Sequence, residues 1–379
     1  MKRALIFVLA ALLVLMCGCA KTPEETIPQT EPTTLPTEPP TQAPTEPPTQ
    51  APTEPEPELV NPLTGEPVEA LTNNRAFAVA FNNSYAAMPQ HGVSQADILY
   101  EMLIEGETRC MGIFYDMASA TEPLGSIRSA RRDFIRVAMA YDAIFVHKGY
   151  SPKQGTQYDK YSAEATFQQT GWDHIDGNGN SEFFYNTRPS YAVEHRTFTK
   201  PASVIAYAQK KGCVMSRDKS LDVGLQFDQE AFFVGESASY MKIWFNLSGS
   251  ASEKWHKYTV MNYNEDTGLY EARQKHAGYS DVSTYVDGNT GEVLSFRNVL
   301  VLRTHNETLK NPSSWMKIDV VGSGEGYFAC NGQIVPIKWS RPTESDPYTY
   351  TLENGTPITL GVGKTYIAVI PTAGVVSYN

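Results

Sequence analysis

The chain has 379 residues, with 31 Lys and Arg against 42 Asp and Glu, a formal net charge of −11 and 25 prolines. Residues 1–58 hold three of the basic and eight of the acidic side chains, so Leu59 to Asn379 carries 28 and 34 and is only weakly acidic at −6. Without a clustered excess of Lys and Arg, nucleic acid and an anionic membrane surface are excluded as main partners, and the five cysteines are too few and too scattered for a disulfide scaffold or a thiolate zinc site.

In chain order, the first element is a lipoprotein signal peptide over residues 1–19. Lys2 and Arg3 form its positive start, Ala4 to Met16 an apolar run of thirteen residues that is too short to span a bilayer, and Met16-Cys17-Gly18-Cys19 places a small residue before a modifiable cysteine. Cys19 is therefore the expected lipidation site, a palmitate-bearing anchor. It makes the membrane a partner through the N-terminal lipid and sets the expected location on the outer face of the bacterial cell membrane. Residues 20–58 follow as a disordered linker: Lys21 to Glu58 is nearly all Pro, Thr, Glu, Gln and Ala, with Pro36–Ala43 repeated at Pro44–Ala51. Extended as polyproline II at about 3.1 Å per residue, it spans at most about 100 Å.

Residues 59–225 read as an α/β domain. Ala76 to Phe81, Met111 to Tyr115 and Ala143 to Val146 are short apolar strands, and Ala130, Phe134, Val137, Ala138 and Tyr141 form one stripe of a helix over Ser129 to Tyr141. A second helix fits Pro201 to Lys211, with proline in the first turn and Gly212 past the end. Residues 240–379 read as a mostly β domain, the boundary falling between Ser216 and Ser239. Its strands lie at Met241–Phe245, Tyr258–Tyr263, Leu269–Ala272, Val299–Leu302, Ile334–Trp339 and Tyr366–Ile370. Turns are expected at Asp266-Thr-Gly268, Asp287 to Gly291, Asn331-Gly332 and Asn354-Gly355. The fold class is thus mixed α+β.

The chemistry-bearing residues concentrate in the first domain. Asp97, Glu101 and Glu105 recur every four residues, a spacing that shares a face in helix or strand alike. Arg128, Arg132 and Arg136 recur likewise, with Arg109 and Arg131 as further cations. One reading pairs the two sets as a structural ion network. The other places Arg128, Ser129 and Arg131 around a helix start as a pocket for an anionic group. His147, at a strand end before a glycine loop, is a candidate acid or base beside Glu101 or Glu105, or else a hydrogen-bonded structural histidine. Asp176-Gly-Asn178-Gly-Asn180-Ser-Glu182 begins like a calcium loop but has Ser181 and Thr187 where glycine and glutamate are required, so it reads as a turn. No metal and no cofactor is expected. Cys110, Cys213 and Cys330 read as buried free thiols.

Four blocks in order, Asn61-Pro-Leu-Thr-Gly-Glu-Pro67, Ala96-Asp-Ile-Leu-Tyr-Glu101, Gly125-Ser-Ile-Arg-Ser-Ala-Arg131 and Tyr141-Asp-Ala-Ile-Phe-Val-His147, resemble the YerB-like family of predicted bacterial lipoproteins, and Gly322-Ser-Gly-Glu-Gly-Tyr327 fits its second domain. The resemblance implies two domains, a lipid anchor and a function that the family leaves undefined. Where the family resembles Pro-His-Asn, this chain has Glu194-His195-Arg196, against a fixed catalytic role for His195. Its Glu105-Gly-Glu-Thr-Arg109 is one residue shorter than the family pattern, leaving the register of Arg109 open. The expectation is an envelope lipoprotein that binds an anionic or polar ligand, such as a cell-wall component, through Asp97, Glu101, Glu105, Arg128, Ser129, Arg131 and His147. The alternatives are an envelope enzyme using His147 or a glutamate as acid or base, and a scaffold for envelope proteins.

Overall fold

The computed structural model describes residues 59–379 apart from 218–221, 232 and 246–252; the signal peptide, Cys19 and the linker lie outside the described residues. The first stretch supplies strands β1 (Phe77–Asn82), β2 (Ile98–Leu103) and β3 (Thr108–Phe114), helix α1 (Arg132–Met139), strand β4 (Ile144–His147), helix α2 (Ala163–Thr170), strand β5 (His174–Asp176) and helix α3 (Pro201–Lys211). β1, β2 and β4 are apolar along almost their whole length because both of their faces are covered, so they lack the alternation of a half-exposed strand. α3 has the predicted limits: Pro201 opens it, and Gly212, at φ 77°, closes it in the left-handed conformation that glycine tolerates. α1 is shorter than its periodicity indicates. Ala130 pairs as backbone with Gly149 and Tyr150, which takes the first residues of the apolar stripe out of the helix.

The second stretch supplies β6 (Glu236–Ser237), β7 (Tyr240–Trp244), β8 (Tyr258–Asn264), β9 (Leu269–Lys275), β10 (Val282–Thr284), β11 (Asn298–Thr304), β12 (Gly322–Cys330), β13 (Gln333–Arg341), β14 (Thr349–Leu352), β15 (Thr365–Pro371) and β16 (Val376–Tyr378). Asn331 and Gly332, both at positive φ, join β12 to β13 as a two-residue hairpin turn.

One large sheet runs through both stretches in the order β6-β13-β12-β11-β15-β2-β3-β1-β4-β5, with β14 on β13. The seam is β15, which lies parallel to β2 on one side and to β11 on the other. A smaller sheet, β10-β9-β8-β7-β16, also takes Ser295–Phe296 against β9. The folded part is a single compact unit, and its buried residues form one continuous core. Register assigns the faces of the large sheet. Phe81, Cys110, Glu101 and Ala368 stand side by side, and alternation adds Thr108 and Tyr366 to that face, which packs on the smaller sheet. Tyr100, Met102 and Arg109 point to the other side, where Tyr100 meets Tyr141 beyond the end of α1. Cys110 and Cys330 are buried and all three thiols described are free. Among the described residues no helix is long and apolar enough to cross a membrane.

Candidate functional site

In the middle of β2, between apolar neighbours, sits Glu101, with no exposed surface. Five donors from both sheets converge on its carboxylate. Oε1 accepts from Asn83 Nδ2 at 3.0 Å, Thr108 Oγ1 at 2.6 Å and Lys257 Nζ at 3.0 Å, and Oε2 accepts from Thr259 Oγ1 at 2.9 Å and Tyr366 OH at 2.6 Å. Asn83, Thr108 and Tyr366 belong to the large-sheet side; Thr259 lies on β8 and Lys257 just before it. A buried charge is tolerated only when paired and hydrogen-bonded, and this site meets both conditions across the sheet-to-sheet interface. Lys257, itself 3% exposed, also donates to Gln274 Oε1 at 2.6 Å. Burial and the neighbouring Glu101 push the Tyr366 hydroxyl well above its usual range, so it stays a donor.

Gln274 leads to a pocket of about 460 Å³. Tyr85, Met88 and Pro89 from the segment after β1 line it together with Gln274, His276 and Tyr285. Among the described residues no Lys, Arg, Asp or Glu lines it. His276 is 7% exposed, and burial, helped by the charge of Lys257, pushes its imidazole down to about 2, so the ring is neutral. One ring N–H bonds to the backbone of Asn83, leaving the second nitrogen an acceptor. The Gln274 Nε2 group is buried with no hydrogen-bond partner. Its orientation is set, because Oε1 is held by Lys257. Tyr85 stacks on Tyr279 with centroids 3.8 Å apart and meets His276 edge-on at 5.7 Å. The pocket therefore offers aromatic surface, a donor on Gln274 and an acceptor on His276, with the hydroxyls of Tyr191, Ser283 and Thr284 also in its lining.

The residues singled out from the sequence occupy separate places. Asp97 precedes β2, accepts from Asn61 Nδ2 at 2.8 Å and the Tyr115 backbone N–H at 2.7 Å, and has its carboxyl pushed up by burial. Glu105 lies past the other end of β2 and clasps Arg131 in a bidentate pair, Nε to Oε1 at 2.7 Å and Nη2 to Oε2 at 3.0 Å. Burial raises the Glu105 carboxyl, but Arg131, with Arg109 behind it, outweighs that and holds it below the usual range. In an extended strand four residues span about 13 Å, so equal spacing puts the three carboxylates in three neighbourhoods. Ser129 gives its carbonyl to Arg109 Nη1 at 2.6 Å. Arg128 makes no side-chain hydrogen bond or ion pair with the described residues, and burial pushes its guanidinium down. His147 is buried, bonding through Nδ1 to the Gly149 carbonyl and through Nε2 to His174 Nδ1, each at 2.8 Å. Its ring is pushed down to about 3 by burial and its nitrogens are committed away from Glu101 and Glu105. The Asp176 segment is a turn, Asp176 Oδ1 accepting from the Asn178 N–H at 2.9 Å. No cluster of His, Cys, Asp or Glu able to hold a metal ion occurs among the described residues.

Since the Arg131–Glu105 pair is partly exposed, Arg131→Ala is expected to lower stability by only about 1 kcal/mol in urea unfolding.

Lys257, Thr259, Gln274, His276 and Tyr366 were not among the residues chosen by spacing. For Gln274 and His276 a signal exists. Along β9 and just beyond it, the positions 270, 272, 274 and 276 share a face, and that face changes from Tyr and Ala to Gln and His while staying buried.

Residues 63–214 match the family described as protein of unknown function (DUF3048), N-terminal domain, and residues 247–367 match the DUF3048 C-terminal domain. The chain is similar to the Bacillus subtilis (strain 168) protein named "Putative lipoprotein YerB", 24% identical over 291 residues that cover 76% of this chain and 79% of the relative. The crystal structure of the YerB protein from Bacillus subtilis superposes with a TM-score of 0.68 at 24% identity, covering 84% of this chain and 100% of that one, a likeness of fold. With both family segments present in order across its folded part, the chain belongs to the two-domain DUF3048 family of proteins of unknown function.

Proposed function

We propose that the protein is a lipid-anchored binding protein of the bacterial envelope, held at Cys19 on the outer face of the membrane, whose ligand enters the pocket over Gln274 and His276. The observation that carries this reading is the buried Gln274 Nε2 without a partner. A buried unmade hydrogen bond costs about 1–3 kcal/mol, a cost that a ligand with an acceptor at this point removes. Anchoring is supported by the signal over residues 1–19 and by the lipoprotein name of the relative. Binding is favoured over catalysis because, among the described residues, the only readily titrating side chain in the pocket lining is His276, and it is held neutral.

A second reading keeps a site for an anionic or polar group at Arg128. It is favoured by the unpartnered Arg128 guanidinium and by Arg109 Nε and Ser126 Oγ, both buried without partners.

Thermal-shift screening of the full chain against envelope fragments tests both. The pocket reading expects a stabilising ligand whose effect is lost in Gln274→Glu and kept in Arg128→Ala; the reverse pattern selects the arginine site. Cys19→Ala is expected to move the protein out of the membrane fraction, and its retention there would refute the anchor.

A further inference from the structure

Resting on the pocket reading above, we infer that the group recognised over Gln274 and His276 is the N-acyl amide of an amino sugar. The pocket holds a donor and an acceptor of fixed sense. Gln274 cannot turn its amide over, because Lys257 Nζ holds Oε1 at 2.6 Å, so Nε2 must donate to whatever enters. His276 gives one N–H to Asn83 and is kept neutral by burial, so its other nitrogen must accept. A secondary amide carries the complement of both, a carbonyl for Gln274 and an N–H for His276.

The rest of the wall specifies what carries that amide. Tyr85 is 41% exposed and braced on Tyr279, which fixes its ring at the pocket wall as a platform for the apolar C–H face of a sugar. Met88 and Pro89 provide apolar contact for an acyl methyl. Among the described residues the lining has no carboxylate to receive the ammonium of a de-N-acylated sugar and no cation to receive a uronic acid, so either charge enters at a desolvation cost. At about 460 Å³ the space is within the range of about 300–1,000 Å³ typical of small-molecule sites, enough for one acylated sugar with its neighbours outside. A peptide also presents amides, but it leaves the face of Tyr85 opposite Tyr279 without a flat partner.

The test is calorimetric titration of the full chain in detergent with four probes: β-linked tetramers of N-acetylglucosamine, glucosamine and glucose, and an N-acetylated alanine tripeptide. The N-acetylglucosamine tetramer is expected to bind at least about tenfold more tightly than the other three, and Gln274→Glu and Tyr85→Ala each to weaken it by about tenfold or more. Gln274→Glu keeps the acceptor for Lys257 while removing the donor, and Tyr85 lies at the surface, so thermal melts are expected to show both variants folded. Equal binding of the three sugars overturns N-acyl recognition, yet leaves the pocket reading intact if Gln274→Glu still abolishes it. Preferential binding of the tripeptide, or no binding of any probe, overturns the sugar inference. Sugar binding that neither variant weakens overturns the pocket reading itself.

Discussion

Lys257→Met is expected to lower the unfolding free energy by about 3–5 kcal/mol, a large share of what a domain of this kind possesses. The reason is asymmetric: the substitution removes one charge and leaves Glu101 fully buried between the sheets with its other four donors, all neutral. The companion Glu101→Gln should be damaging too, since it takes the opposite charge from the buried lysine and sets an amide N–H₂ against hydroxyl and amide donors. In the double variant both charges are gone, and its loss should be clearly less than the sum of the two single losses. Urea unfolding of the four proteins checks this. A Lys257→Met loss under about 1 kcal/mol, or simple additivity in the double variant, would show that the pair does not act as a unit. The contrast with the small effect expected for Arg131→Ala separates a dry ion pair from a wet one.

Acidification from pH 7 to pH 5.5 is expected to lower stability by about 3 kcal/mol through three histidines. Burial pushes His147 and His174 down to about 3 and His276 to about 2. In the unfolded chain the same rings titrate near 6.5. Between those values the unfolded state binds protons that the folded state refuses, so stability rises with pH across the window and is lost as pH falls from about 6.5 towards 3, by about 1 kcal/mol for each ring at pH 5.5. Asp97 and Asp133 have carboxyls raised by burial and work in the opposite sense nearer their own titration, so the upper part of the window isolates the histidines. Identical urea midpoints at pH 7 and pH 5.5 would refute the account, and a His147→Gln, His174→Gln double variant should flatten the slope.

What was legible in the sequence was local. Pro201 and Gly212 mark both ends of α3 because capping depends on neighbours in the chain, and Asn331-Gly332 marks a hairpin because the turn needs two residues at positive φ. β12 escaped pattern reading because Gly322, Gly324 and Gly326 break its alternation. Gly324 and Gly326 serve the neighbouring strand β11 instead: a Cβ on either would run into a backbone carbonyl there, of Arg303 or of Val301. The same limit shaped the site. Glu101 stands out as a charge in an apolar run, yet its lysine comes from another sheet and far along the chain, where no spacing rule connects them. Glu105 and Arg131 do meet, but Asp97 and His147 are held by other partners, because even spacing in a strand separates side chains along its length.

The placement of β15 also dictates when this protein can assemble. Residues 365–371 enter the middle of the large sheet, between β2 and β11, and bring Tyr366 to Glu101. During synthesis the earlier strands therefore wait, with an open seam and an incompletely satisfied carboxylate, until residues 365–371 have been made. Closure of the large sheet and completion of the Glu101 site are therefore a single event, set by the arrival of residues 365–371.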